Sequence, residues 1–195
     1  MVLAVAVFVA VAVADGVESP PLMRLALAAL LCLILPASAF AVGQGESALT
    51  GGPGLALAFE GGTRAGAGAD VRILRGLSDS WAARLGVQAT WVPATGGKGA
   101  TRVAAQALGL TFAADIFKLV PFVDLGVLVA DIRGGGQEAR QRLGGQFGIG
   151  ADYLVTSHLT LSLIGRLDYF ALRLAGARGQ TPVQATLALH LGHVF

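Results

Sequence analysis

From about residue 54 to residue 195, apolar and polar side chains alternate along the chain in segments broken by turn residues. A period of two places successive side chains on opposite faces of a strand, so the pattern predicts strands and no helices. Eight strands are expected, at about 54–61, 66–76, 81–92, 102–113, 120–132, 140–154, 159–172 and 182–195. In the third, Ala83, Leu85, Val87, Ala89 and Trp91 oppose Arg84, Gly86, Gln88 and Thr90. The fifth sets Val123, Leu125, Val127 and Val129 against Asp124, Gly126, Leu128 and Ala130. In the sixth, Leu143, Phe147, Ile149, Ala151 and Tyr153 oppose Arg142, Gly144, Gln146, Gly148, Gly150 and Asp152. The seventh sets Leu159, Leu161, Leu163, Leu167 and Tyr169 against Thr160, Ser162, Arg166 and Asp168. The fourth is ambiguous, because Leu108, Leu110 and Phe112 share a parity with Gln106. These lengths suit tilted strands crossing a bilayer, which need about nine to eleven residues.

The alternation runs to the last residue. Val183, Ala185, Leu187, Leu189, Leu191 and Phe195 share one face, and Gln184, Thr186, Ala188, His190 and Gly192 the other. A closed barrel ends this way, because its last strand pairs with its first and leaves no edge. The ending resembles the closing strand of bacterial outer-membrane β-barrels. That resemblance implies that Phe195, with Leu191 and Leu189, is a signal read by the barrel assembly machinery. His193 departs from the pattern, which often has an aromatic or apolar residue at that place.

Connections of unequal length orient such a barrel. Gly76–Ser80 and Val155–His158 are tight and Ala114–Leu119 is intermediate, whereas Thr95–Thr101, Gly134–Ala139 and Leu174–Thr181 are longer and rich in glycine. Short turns belong on the periplasmic side and longer loops outside. The turns Leu77-Ser78-Asp79-Ser80-Trp81 and Leu154-Val155-Thr156-Ser157-His158-Leu159 are similar to the periplasmic turns of OmpA-like and OmpX-like barrels. The fold class expected is therefore all-β: an eight-stranded antiparallel up-and-down transmembrane β-barrel preceded by a signal peptide. Trp81, Phe122 and Tyr153 near the turns, with Trp91 and Tyr169 toward the other rim, fit two interfacial girdles.

The N-terminal region adds a leader. Arg24, the apolar Leu25–Leu35 and Ala37-Ser38-Ala39 read as a secretory signal at 23–39. Residues 1–22 read as an upstream mis-start or an extension of that signal, 40–53 as a periplasmic lead-in, and 54–195 as the barrel. The run Val2–Ala14 is too short to span a bilayer. The single cysteine, Cys32, lies inside the signal, so the exported chain is expected to carry no disulfide and no thiolate metal site.

Composition narrows the function. With 54% hydrophobic residues, 13% charged and a net charge of +2 in no run or stripe, neither disorder nor nucleic-acid binding is indicated. The charges lie on the polar strand faces. Arg72, Arg84, Asp124 and Asp152 are expected toward the periplasmic end of a lumen, Arg142, Asp168, Arg102, Asp70 and Glu60 toward the outer end, and Arg166 between. Asp168 is expected opposite Gly144 or Gln146, within diagonal reach of Arg142. Eight strands enclose a space that side chains can just fill, so these charges are expected to neutralise one another as a paired network. His158, His190 and His193 fall at or near strand ends, without Ser–His–acid or metal-ligand spacing, and Gly134-Gly135-Gly136 lacks the Lys-Ser/Thr of a phosphate loop. No catalytic, cofactor-binding or metal site is expected, and no enzyme. The expected function is that of an outer-membrane barrel with a structural or interaction role, monomeric. Its expected partners are outer-membrane lipid, the barrel assembly machinery and periplasmic chaperones. A barrel passing a small or apolar solute, and a lipid-modifying enzyme, are the alternatives.

Overall fold

Each alternating segment becomes one strand of a sheet that closes on itself. The computed structural model describes residues 44–59, 62–95, 99–114, 118–134, 140–175 and 183–195. The expected signal peptide and Glu60 lie outside the described residues. The strands are β1 (Ser47–Phe59), β2 (Thr63–Gly76), β3 (Trp81–Val92), β4 (Thr101–Ala113), β5 (Leu119–Gly134), β6 (Arg140–Leu154), β7 (Leu159–Ala175) and β8 (Val183–Val194). Every strand is antiparallel to its sequence neighbours, and β8 pairs with β1. The ring is sealed at its base where Ser47 and Phe195 exchange two backbone hydrogen bonds, of 3.0 and 2.8 Å.

The stagger of the ring sets its shape. Stepping through opposite residues from Ala48 by Leu74, Arg84, Gly109, Gly126, Gln146, Asp168 and Gln184 returns to β1 at Ala58, ten residues along. With about 3.3 Å per residue and about 4.8 Å between strands, that stagger tilts the strands by about 40°. The twelve-residue strands β3 and β8 then rise roughly 30 Å along the axis, the thickness of a bilayer core.

Several boundaries differ from the sequence reading, among them the start of β2, at Thr63 where 66 was expected. β1 begins at Ser47, where Gly54 was expected. Gly51, Gly52 and Pro53 look like a lead-in, yet they continue the ladder, with Gly51 opposite Val71 and Pro53 opposite Ala69. Glycine is required at position 52, because a Cβ there would run into the backbone carbonyl of Leu189 on β8. β7 runs on to Ala175, with register shifts against β6 around Leu143 and Gly145. The connection from β1 to β2 is short, and Gly62 helps it turn with a φ of 128°.

Side chains sort cleanly by face. Leu55, Leu57, Leu108, Leu110, Leu125, Val127, Ile149, Leu163, Leu187 and Leu189 are exposed on the outside. Trp81 and Phe112 meet there at 5.1 Å near the short turns, and Trp91 and Tyr169 are exposed toward the other rim. Water would not leave so much apolar surface uncovered, whereas a hydrocarbon solvent would. The outer parity of β4 is now fixed: Leu108, Leu110 and Phe112 face out, and Val103, Ala105 and Ala107 face in.

Candidate functional site

The inward faces form a polar core between two apolar layers. Val103, Ala105, Ala107, Leu128, Ala130, Ile132 and Phe170 pack together inside the half nearer the longer loops, here the loop rim. Ala48, Leu74, Ala82 and Val194 pack inside the opposite end, here the turn rim. Between them lies a polar network to which all eight strands contribute, two hydrogen-bonded groups joined by the Arg84–Asp124 ion pair.

Asp124 on β5 is its first hub. It accepts from Arg72 Nη1 at 3.1 Å and from the Thr111 hydroxyl at 2.6 Å, and pairs with Arg84 Nε at 3.8 Å. Arg84 Nη1 also donates to Gln146 Oε1. Gln146 Nε2 in turn donates to Asp168 at 2.7 Å, and Gln88 donates to the other oxygen of Asp168 at 2.6 Å. On the other side, Arg72 Nε donates to the Thr50 hydroxyl at 3.2 Å, which stands 3.3 Å from His190 Nδ1. His190 Nε2 lies 2.8 Å from Asp70 Oδ1, and Arg166 Nη2 pairs with that same oxygen. One tautomer satisfies this run: the Thr50 hydroxyl donates to Nδ1 and Nε2–H donates to Asp70. Arg72, Arg84, Asp124 and Asp168 are each at most 1% exposed.

The expected lumen residues divide as follows. Arg72, Arg84, Asp124, Arg166 and Asp168 lie in the network, and Asp70 joins them. Arg142 is buried near the loop rim opposite Arg173, and Asp152 lies opposite Ser162 nearer the turn rim. Asp168 does sit opposite Gln146, but it bonds the amides of Gln146 and Gln88, and the bulged stretch of β6 separates it from Arg142. Arg102 faces outward, because the parity of β4 is set by its apolar inward face at Val103 and Ala105. Phe122 also departs from its expected girdle position: it is buried in the lumen, and the Arg72 guanidinium lies over its ring at 5.2 Å. His190 lies deep in the lumen and not at a rim. His158 and His193 remain at the turn rim, with ring centroids 6.2 Å apart, and His193 stacks on Phe195 at 6.1 Å. Leu189 and Leu191 face outward on β8.

Sequence reasoning put Gln88 and Gln146 on polar faces without assigning them to the network, and it passed over Thr50 and Thr111. Their one sequence signal is parity, since each shares the inward register of its strand. Among the described residues, no group of three or more His, Cys, Asp or Glu side chains stands close enough to hold a metal ion.

No protein-family model matches the chain, and no curated protein matches it. Solved structures do. The Neisserial surface protein A is similar with a TM-score of 0.65 and 14% identity, over 78% of this chain and 100% of that one. Outer membrane protein OprG from Pseudomonas aeruginosa gives a TM-score of 0.55 and 13% identity, over 79% and 98%. The attachment invasion locus protein Ail of Yersinia pestis gives 0.52 and 17%, over 78% and 99%. With eight antiparallel strands closed in sequence order and an apolar exterior, the chain has the fold of the small bacterial outer-membrane β-barrels.

Proposed function

We propose that the chain is an outer-membrane barrel whose lumen is filled by its own side chains and whose role, structural or interactive, is exercised at its rims without catalysis. In this reading the signal at 23–39 exports it, the turn rim faces the periplasm and the loop rim faces out. The observation that carries the reading is the near-complete burial of Arg72, Arg84, Asp124 and Asp168 in the middle of the lumen. A conducting path needs charges that water can reach, and these are taken up by partners within the lumen: Asp124 by Arg72 and Arg84, Asp168 by Gln88 and Gln146. The apolar layers toward both rims add to the barrier.

Planar-bilayer recording tests the filled lumen. The folded protein is expected to give no steady conductance, and an ion-selective current that vanishes in Arg142→Ala would overturn the proposal. Location is tested by fractionation. The exported chain is expected in the outer membrane as a band whose mobility changes on boiling, since a closed barrel resists detergent until heated; recovery as a soluble periplasmic protein would reject it.

A further inference from the structure

β4 and β5 bring two arginines face to face on the outside of the barrel. Arg102 lies opposite Arg133 in the ladder, and their strand neighbours Val103 and Ile132 are the ones that turn inward. Residues opposed on one face have Cβ atoms about 4.5–5.5 Å apart, so two like charges there repel unless an anion joins them. Asp131 partly answers Arg133, accepting from its Nε and Nη2 at 3.3 and 3.2 Å, but the Arg133 side chain remains 41% exposed. Arg102 is exposed and has no hydrogen bond or ion pair among the described residues.

Their height on the barrel points to a ligand. Trp91 lies opposite Arg102 on β3 and is exposed, as an interfacial anchor would be. On β5, Val129 is the last large apolar group on the outer face before Asp131 and Arg133. The two guanidinium groups therefore stand just beyond the apolar belt, at the level of lipid headgroups. The rim is also biased in charge. Its described residues include Arg64, Arg102, Arg133, Arg140, Arg142 and Arg173 against Asp131 alone, while those of the turn rim include Glu46, Asp79 and Asp152 against Arg75 and Lys118.

We infer that Arg102 and Arg133 form a clamp for the phosphate of an outer-leaflet lipid headgroup, with Trp91 seated beside it. Paired guanidinium groups match phosphate oxygens in geometry and charge, and a phosphate between them removes their mutual repulsion. The clamp rests on the orientation proposed above, with the loop rim outward.

The test uses the folded barrel in zwitterionic micelles, in a Trp81→Phe background so that Trp91 alone reports. Phosphatidic acid is expected to shift Trp91 emission saturably, phosphatidylcholine is expected to have little effect, and added salt should weaken the response. Arg102→Ala with Arg133→Ala should weaken phosphatidic acid binding about tenfold or more, and the Lys replacements should retain part of it. Should the Ala pair fold poorly, judged by heat-modifiable mobility, Arg102→Gln with Arg133→Gln serves instead. An unchanged affinity in the double variant, or an equal response to phosphatidylcholine, overturns the clamp. A response to inorganic phosphate at equal concentration would reassign it to free anions and overturn the lipid. Labelling of Arg102→Cys by an impermeant reagent on intact cells reads the orientation separately, so an inverted barrel and a failed clamp give different results.

Discussion

Asp124→Ala is expected to lower the unfolding free energy by about 3–5 kcal/mol, the usual cost of leaving buried charges without their partner. The side chain accepts from Arg72 and Thr111 and is the ion-pair partner of Arg84, so removing it leaves two guanidinium groups, each 1% exposed, without a carboxylate. Those groups cannot reach water without parting the apolar layer of Ala48, Leu74, Ala82 and Val194. Urea unfolding in lipid vesicles, followed by fluorescence, measures the change. The paired variant Asp124→Leu with Arg72→Met should lose clearly less than the sum of the two single changes, since one apolar pair then replaces one ionic pair. Additive losses would show that the two side chains do not act as partners.

Gly52→Val is expected to prevent closure of the barrel. Its added side chain would meet the carbonyl of Leu189, and neither backbone can yield without separating β1 from β8. Pro53 already denies this seam one N–H, so the ladder from Gly51 opposite Leu191 to Gly54 opposite Ala188 has little to spare. The folded band on an unboiled gel should nearly disappear. Gly86→Ala is the control: a Cβ there finds only ordinary contacts, at 3.5 and 3.8 Å, and stability should hold within about 0.5 kcal/mol. If both variants fold alike, the seam does not control closure.

The architecture was legible because a lipid-facing strand has only one way to arrange its side chains. Leu187, Leu189 and Leu191 alternate with Thr186, His190 and Gly192, and the structure keeps that division. β4 was not legible, since its inward residues Val103, Ala105 and Ala107 are apolar too and alternation loses its contrast. Arg102 was misplaced for that reason. The charged members of the network could be named from parity, but Thr50, inside the expected lead-in, and Thr111, on the ambiguous fourth strand, could not, and neither could the pairing. Register tells which residues lie opposite, whereas long side chains reach across the lumen: Arg72 on β2 meets Asp124 on β5, and Gln88 on β3 meets Asp168 on β7. Phe122 has the sequence appearance of an interfacial aromatic, and only the cation above it shows why it turns inward.

The pairing of Ala48 with Val194 joins the two ends of the described chain, and this has a kinetic consequence. Until that contact forms, the sheet has two open edges, and its apolar outer face needs hydrocarbon around it. Contacts so distant in sequence form late and slowly, because the entropy of closing the intervening loop is spent before they reward it. Under the membrane reading proposed above, the long-lived species in assembly is expected to be a sheet whose β1–β8 seam is still open. The buried cross-lumen bonds, such as Arg72 to Asp124, tighten only as the ring shuts, so they act on the rate of opening far more than on the rate of insertion.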